Sequence, residues 1–166
     1  MAQGMIREPP RIVVMGVSGA GKSTIGRLLA AHLGGRFVDG DDLHPSANIE
    51  KMRNGRALDD ADRAPWLDAI ADVLAASAGP APIVVACSAL KEAYRARLRR
   101  VPFHLVYLKG APALVAARLR NRRGHFMPAA LLQSQFDSLQ EPTNAVTVAI
   151  DRPAEDIVAE IIAVLG

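Results

Sequence analysis

The stretch Arg11–Ser23, RIVVMGVSGAGKS, decides the fold of this chain. Its first five residues are rich in β-branched side chains and predict a short strand. Gly16–Ser23 then matches the pattern G-x-x-x-x-G-K-[ST], and residues 22–33 carry apolar side chains at helical spacing. Glycines let backbone N–H groups wrap around an anion, and the following helix directs its positive end at that anion. The segment therefore predicts a strand–loop–helix unit that holds the phosphates of a nucleotide.

The residue types of the loop also predict which groups act on the nucleotide. The ammonium group of Lys22 reaches the β- and γ-phosphates, and the hydroxyl of Ser23 is a ligand for Mg²⁺. We therefore expect ATP and Mg²⁺ as cofactors. The residues predicted to bind ATP are Gly16, Val17, Ser18, Gly19, Ala20, Gly21, Lys22, Ser23 and Thr24.

The rest of the chain alternates between apolar runs and helical patterns. Further strands are predicted at 36–39, 83–87, 103–108 and 145–150, and further helices at 46–54, 66–76, 89–100, 112–121, 128–139 and 153–165. Apolar strands without polar alternation, separated by helices, are typical of a parallel sheet covered on both faces. The pattern predicts a single three-layer α/β domain over 11–166, preceded by a flexible tail over 1–10.

Composition excludes several classes of protein. The chain has 166 residues, about the length of one domain, and 50% hydrophobic against 22% charged residues argues against disorder. A single cysteine excludes a disulfide framework and a cysteine-based zinc site. No apolar run approaches the roughly 20 residues of a membrane helix, and the first ten residues lack the apolar core of a signal peptide. We therefore expect a cytoplasmic protein that does not bind membranes.

Charge is unevenly distributed along the chain. Residues 91–123 carry a net charge of +9, whereas the whole chain carries +3 and the remainder therefore −6. So basic a segment has an anionic partner or forms a solvated face. We expect a solvated helix face for the group Arg95, Arg97, Arg99 and Arg100.

Some side chains at helical spacing beside apolar neighbours are predicted to belong to the core rather than to a site. They are His32, Met52 and Trp66. Cys87, at the end of an apolar strand, is predicted to be a small buried residue near the cleft. The chemistry is therefore expected from other segments.

Three polar segments follow predicted strands: Gly16–Ser23, Asp39–Asp42 and Ser88–Lys91. Ligands of open α/β sheets bind at the carboxyl ends of the strands, so we expect the three segments to share one cleft. Asp39 can hold Mg²⁺ through water, while Asp41 can accept a proton from the acceptor hydroxyl. The third strand ends without a carboxylate and no NKxD motif is present, which favours a compact small-molecule kinase over a large ATPase or a GTPase.

Longer motifs accompany the phosphate loop. They include Asp39–Pro45 (DGDDLHP), Ala86–Lys91 (ACSALK) with Tyr94-Arg95, His125-Phe126-Met127 and Ser134-Gln135-Phe136. From about residue 11 to 165 the chain resembles the gluconokinase family of small P-loop kinases. The resemblance implies an adenylate/shikimate-kinase-like P-loop NTP hydrolase fold with strand order 2-3-1-4-5, to which the arginines discussed below add a predicted mobile lid. It also implies a homodimer and ATP-dependent phosphorylation of D-gluconate at the 6-hydroxyl, giving 6-phospho-D-gluconate and ADP.

An acceptor with a carboxylate and several hydroxyls calls for cations and polar donors. The predicted acceptor-binding residues are Asp41, His44, Arg53, Ser88, Lys91 and His125. Arg118 and Arg122 flank a polar turn and are predicted to belong to a lid over about 118–127 that closes on ATP. The predicted catalytic residues are Lys22, Asp41, Arg118 and Arg122. Adenine is expected near Asp151-Arg152-Pro153, after the last strand.

Two other functions remain open from the residues alone. A sibling kinase acting on shikimate or a nucleotide would share the phosphate loop, and only the acceptor separates it from a gluconate kinase. A nucleic-acid-binding P-loop protein would use the +9 segment. No recognition helix or RNA-binding motif supports the latter, and 4% aromatic residues are too few for a base-stacking platform.

Overall fold

A five-stranded parallel sheet forms the centre of the molecule. The computed structural model describes residues 10–76, 80–121 and 129–166. The sheet has the order β2-β3-β1-β4-β5, with every neighbouring pair parallel, which confirms the predicted order. Its strands are β1 (Arg11–Met15), β2 (Arg36–Asp39), β3 (Ile83–Ala86), β4 (His104–Lys109) and β5 (Val146–Ala149).

Helices connect the strands and cover both faces of the sheet. The described helices are α1 (Lys22–Leu33), α2 (Ser46–Arg53), α3 (Asp60–Ala76), α4 (Glu92–Leu98), α5 (Pro112–Arg120), α6 (Ala129–Ser138) and α7 (Ala154–Leu165), with a 3₁₀ turn at Gly40–Leu43. Side chains of α1, α5 and α7 form a core on one face, and those of α3 and α4 form a core on the other. The three-layer α/β architecture is therefore confirmed.

The apolar run of β1 is explained by its position in the middle of the sheet. Ile12 and Val14 face the core under α1 and α7, while Val13 and Met15 face the core under α3 and α4. All four side chains have 0% exposure. A strand buried on both faces has no polar alternation, so its sequence is continuously apolar.

Helix α3 starts earlier than predicted. The prediction placed Pro65 in the first turn of a helix over 66–76, whereas the helix begins at Asp60 with Pro65 inside it. Asp59 and Asp62 stabilise this start, because the N–H of each donates to the carboxylate of the other, at 2.9 and 2.7 Å. Pro65, close to the start, removes only one helical hydrogen bond.

Two residues predicted for the core are exposed. His32 lies on the solvent side of α1, because the buried stripe of that helix is formed by Ile25, Gly26, Leu29 and Ala30. Met52 of α2 is 38% exposed, since this helix buries only Asn48. Trp66 and Cys87 are buried, as predicted.

The basic group Arg95, Arg97, Arg99 and Arg100, within and directly after α4, does not form the uniform solvated face that was predicted. Arg97 and Arg100 are exposed and form ion pairs with acids of α3, the former with Asp68 at 2.8 Å. Arg95 contradicts the prediction, because its side chain is 1% exposed. Since α4 packs against the sheet beside the loop that follows β3, this position turns inward to the backbone carbonyls of that loop.

Some predictions fall outside the described residues. They include the tail over 1–10, of which only Pro10 is described, and most of the segment predicted as a lid. In the described ranges no helix is both long and apolar enough to cross a membrane.

Replacing Asp59 tests the start of α3. Asp59→Ala removes the carboxylate that accepts the N–H of Asp62, so we expect a loss of about 1 kcal/mol in the free energy of unfolding. Urea denaturation followed by circular dichroism measures it. Glu50→Ala, at an exposed position of α2, is the control. Equal stability of the two variants would contradict the assigned role of Asp59.

Candidate active site

The phosphate loop lies between the end of β1 and the first turn of α1. Gly19 and Gly21 have φ angles of 83° and 96°, in the left-handed region that favours glycine. A Cβ at Gly19 would stand 2.9 Å from the Cγ of Leu119, so the loop also packs closely on α5. The loop thus needs glycine both for its turns and for this contact.

Lys22 extends its side chain over the loop. Its Nζ donates to the carbonyl oxygens of Gly16 and Val17, at 2.9 and 3.0 Å. The ammonium group therefore lies where a polyphosphate enclosed by the loop would meet it. A cation in this position neutralises β- and γ-phosphate oxygens.

Ser23 and Asp39 join the first two strand ends. The Oγ of Ser23 donates to Asp39 Oδ2 at 2.8 Å, and Asp39 Oδ1 accepts the N–H of Asp41 at 3.0 Å. A hydroxyl and a carboxylate are oxygen ligands of the kind that Mg²⁺ prefers, with waters and phosphates completing its shell. The donor set at this point fits Mg²⁺.

The end of β3 reaches the same region. Burial raises the pKa of the Cys87 thiol to about 12, with Lys22 lowering it and Asp41 raising it. Ala86, the last residue of β3, pairs with Val14 of β1 and with Asp39 of β2, so the ends of these strands are adjacent. The structure brings together the carboxyl ends of β1, β2 and β3, as the sequence predicted for an open α/β sheet.

His44 is fixed beside the acidic turn. Its ring stacks on Trp66 with centroids 4.2 Å apart and an interplanar angle of 12°. Its Nδ1 lies 3.2 Å from Nδ2 of Asn48, and Trp66 Nε1 donates to the carbonyl of Gly40 at 2.7 Å. Burial lowers the pKa of His44, partly opposed by Asp41, while Arg63 lowers it further. Burial at this position therefore favours the neutral imidazole at neutral pH, next to the turn that carries Asp41.

Lys91 belongs to a polar cluster on α3 and α4. Its Nζ lies 3.5 Å from Asp60, whose carboxylate accepts the hydroxyl of Tyr94. Arg63 donates to the same hydroxyl at 3.1 Å, and both cations lie over the ring of Tyr94. Together with Lys91, the hydrogen bond from Tyr94 lowers the pKa of Asp60. The cluster holds two cations close together, an arrangement suited to a carboxylate ligand.

The other predicted residues are more dispersed. Ser88 is half-buried after β3, and Arg53 is exposed at the last residue of α2. The guanidinium of Arg118, in the last turn of α5, donates to the carbonyl of Ile150, directly after β5. This contact places Arg118 beside the segment predicted for adenine. Arg122 and His125 lie outside the described residues.

The chain is similar in sequence to known proteins. The family model described as Shikimate kinase matches residues 18–165. The thermoresistant gluconokinase of Escherichia coli is 44% identical, with 92% of this chain and 91% of that protein covered. The gluconokinase of Gluconobacter oxydans is 48% identical over 81% and 78% of the two chains. The chain belongs to the gluconokinase family.

Solved structures agree with this family membership. The crystal structure of a gluconokinase from Sinorhizobium meliloti superposes with a TM-score of 0.85 at 45% identity, covering 93% of this chain and 90% of that one. The Mycobacterium tuberculosis APS kinase superposes at 0.73 with 22% identity over 95% and 98% of the chains, which shows the shared fold alone.

Gln135 contacts the phosphate loop of this gluconokinase-family chain but was not among the site residues predicted from the sequence. It lies on α6, and its Oε1 accepts the N–H of Ser18 at 2.7 Å while its Nε2 donates to the Ser18 hydroxyl at 3.0 Å. The only sequence signal for it was the motif Ser134-Gln135-Phe136. Its 117-residue separation from Ser18 leaves no local pattern that could predict the contact.

The lowered pKa of His44 predicts that this residue contributes to the pH dependence of stability. Its pKa is lower in the folded protein than the 6.5 of an unfolded histidine. At a pH between the folded and the unfolded pKa, the unfolded chain therefore binds more protons than the folded protein. The free energy of unfolding should therefore fall as the pH is lowered below 6.5. His44→Phe, which can keep the stack on Trp66, should remove this component in urea denaturation across the pH range. His32→Gln, at an exposed position, should retain the wild-type slope; a matching loss there would contradict the assignment.

Proposed function

We propose that this protein transfers the γ-phosphoryl group of ATP to the 6-hydroxyl of D-gluconate, giving 6-phospho-D-gluconate and ADP. The observation that carries the proposal is the meeting of the phosphate loop with the acidic turn, through the Ser23–Asp39 hydrogen bond at 2.8 Å. This contact links the phosphate loop to the turn that carries Asp41, the candidate base. The gluconokinase relatives, at 44% and 48% identity, support gluconate as the acceptor.

The donor side of the reaction follows from the loop. Backbone N–H groups of Gly16–Ser23 hold the phosphates, and Lys22 neutralises the β- and γ-oxygens. Ser23 and Asp39 would hold Mg²⁺, which supplies further neutralisation of the phosphate charge when bound. Arg118 and Arg122 are proposed to stabilise the charge that develops on the transferred phosphoryl group.

Asp41 is the candidate base. It lies two residues after Asp39, whose carboxylate accepts its N–H at 3.0 Å. Its side chain is exposed, so the carboxylate is accessible to an acceptor. A carboxylate in this place orients the 6-hydroxyl and accepts its proton as the bond to phosphorus forms. Direct in-line transfer then needs no covalent enzyme intermediate.

The acceptor side is assigned to the surrounding cations and polar groups. Lys91, with Arg63 beside it, is proposed to bind the carboxylate of gluconate. The hydroxyls of gluconate are assigned to His44, Ser88, Arg53 and His125. The neutral state of His44 suits it to hydrogen bonding rather than to charge pairing.

A coupled assay of ADP release with D-gluconate tests the proposed function. Turnover should require both ATP and gluconate, and no rate above the ATP-only background would overturn the proposal. Shikimate is the second acceptor in the panel, because the matching family model is described as Shikimate kinase. Faster turnover of shikimate than of gluconate would assign the sibling activity instead.

Variants of two neighbouring acids distinguish a catalytic base from a surface charge. Asp41→Asn should lower kcat by about 10²- to 10⁴-fold, because the amide cannot accept the hydroxyl proton. Asp42→Asn, at the adjacent exposed acid, should stay within about twofold of wild type, since Asp42 is assigned no part in the reaction. Steady-state kinetics at saturating ATP measure both. Equal losses in the two variants would contradict the role of Asp41.

The proposed Mg²⁺ ligands predict a change in metal dependence. Ser23→Ala removes a direct ligand and Asp39→Asn removes the charge that holds Mg²⁺ through water. In each variant the Mg²⁺ concentration that gives half-maximal rate should therefore rise by about tenfold or more. Titration of Mg²⁺ at fixed ATP measures this concentration. Asp42→Asn is again the control. An unchanged midpoint in both ligand variants would show that the metal is held elsewhere.

The proposal extends to partners and location. The homodimer is proposed from the family resemblance, and the cytoplasmic location from the composition of the sequence. Light scattering measures the oligomeric state. No nucleic-acid partner is proposed, because Arg95, Arg97 and Arg100 of the +9 segment already bind protein groups. A binding measurement with DNA and RNA at low salt tests this, and binding to either would contradict it.

A further inference from the structure

The most deeply buried cation of the described residues lies outside the proposed chemistry. The side chain of Arg95 is 1% exposed. Its Nη1 donates to the carbonyls of Ala89 and Leu90, at 2.8 and 3.1 Å, and its Nη2 donates to the carbonyl of Gln140 at 2.8 Å. One guanidinium thus joins the loop that follows β3 to the segment that follows α6.

This arrangement requires arginine rather than lysine. The planar guanidinium donates in fixed directions, so it can bind carbonyls of two separate segments at once. A buried ion is costly unless its donors are satisfied, and here three carbonyls and Glu92, at 3.0 Å, surround it. A lysine would keep the charge but would lose the geometry that spans both segments.

The loop held by Arg95 has an unusual backbone. Ala89 has a φ of 44°, in the left-handed region that is unfavourable for a residue with a Cβ. Its carbonyl is one of those that Arg95 binds. The carbonyl of Leu90 also accepts the N–H of Gln140 at 2.8 Å, which ties the same turn a second time. These bonds stabilise a conformation that the local sequence disfavours.

Two residues assigned to the acceptor flank this turn directly. Ser88 precedes Ala89, and Lys91 follows Leu90. Lys91 also provides the carbonyl that accepts the N–H of Arg95 at 3.2 Å, at the start of α4. The direction in which both side chains leave the backbone therefore depends on the turn that Arg95 holds.

We propose that Arg95 is a positioning residue of the acceptor site. It acts through Ser88 and Lys91 by holding the turn between them, and it makes no contact with gluconate itself. The inference rests on the proposed function, which assigns those two residues to the acceptor. The bonds of the phosphate loop, from Lys22 to its carbonyls, from Ser23 to Asp39 and between Ser18 and Gln135, use none of the groups that Arg95 binds. Gln135 lies within α6, whereas Arg95 binds the carbonyl of Gln140 after that helix ends.

Kinetics of Arg95→Lys separate positioning from general stability. We expect KM for gluconate to rise at least tenfold while KM for ATP stays within twofold, because only the acceptor turn is loosened. Arg97→Lys, at an exposed position of the same helix, should leave both constants within twofold. An unchanged KM for gluconate, or parallel increases in both KM values, would overturn the proposal.

A second variant keeps the proposal testable if Arg95→Lys does not fold, as judged by circular dichroism and thermal melting. The exposed side chain of Gln140 accepts the N–H of Glu92 at 2.7 Å and holds the same junction from outside. Gln140→Ala should raise KM for gluconate by about twofold to fivefold with KM for ATP unchanged. Wild-type values for both substrates would then overturn the proposal.

Hydrogen exchange distinguishes failure of this inference from failure of the proposed function. In the full chain, Arg95→Lys should speed amide exchange in residues 88–91 at least tenfold and leave residues 16–23 unchanged; Gln140→Ala serves if that variant does not fold. This readout needs no turnover. If wild type does not phosphorylate gluconate, the function fails alone; if exchange over 88–91 is unchanged, the positioning role fails.

Discussion

The parallel pairing of β1 with β3 and β4 is the constraint on which the molecule depends. Val13 pairs with Val85 on one side and with Leu105 on the other, and β1 has no solvent-facing edge. Because β1 is the central strand of a parallel sheet, the loop that follows it begins at the middle of the carboxyl edge. The pairing of β2 with β3 then brings Asp39 to the same edge. The site is therefore a consequence of register in the sheet.

Chemistry at that edge relies on charges held by short local contacts. Asp39 binds the hydroxyl of Ser23 with one oxygen and the backbone of Asp41 with the other, so one carboxylate organises two strand ends. Trp66 holds the intervening turn from below through the carbonyl of Gly40. Asp39 thus combines its proposed metal role with that of arranging its neighbours, while Trp66 supports the turn without any assigned part in the reaction.

Sequence patterns predicted what is local and missed what is long-range. The apolar run of β1 and the spacing of Gly16–Ser23 carry their meaning in adjacent residues, so the strand and the loop were predicted correctly. Strand order came from the family resemblance, since periodicity contains no information about neighbours in a sheet. Arg95 was misjudged because its partner carbonyl at Gln140 is 45 residues away. The start of α3 was missed because the capping pair of Asp59 and Asp62 precedes the proline that marked the predicted boundary.

The buried thiol at the end of β3 has a practical consequence. Cys87 is the only cysteine of the chain; it is buried, and its raised pKa leaves almost none of it as thiolate at neutral pH. Alkylating reagents require the thiolate, so the natural protein is nearly inert to them. A cysteine introduced on the surface would therefore be a unique attachment point for a fluorophore or spin label. Distances between elements around the active site could be followed in solution without first removing a native thiol.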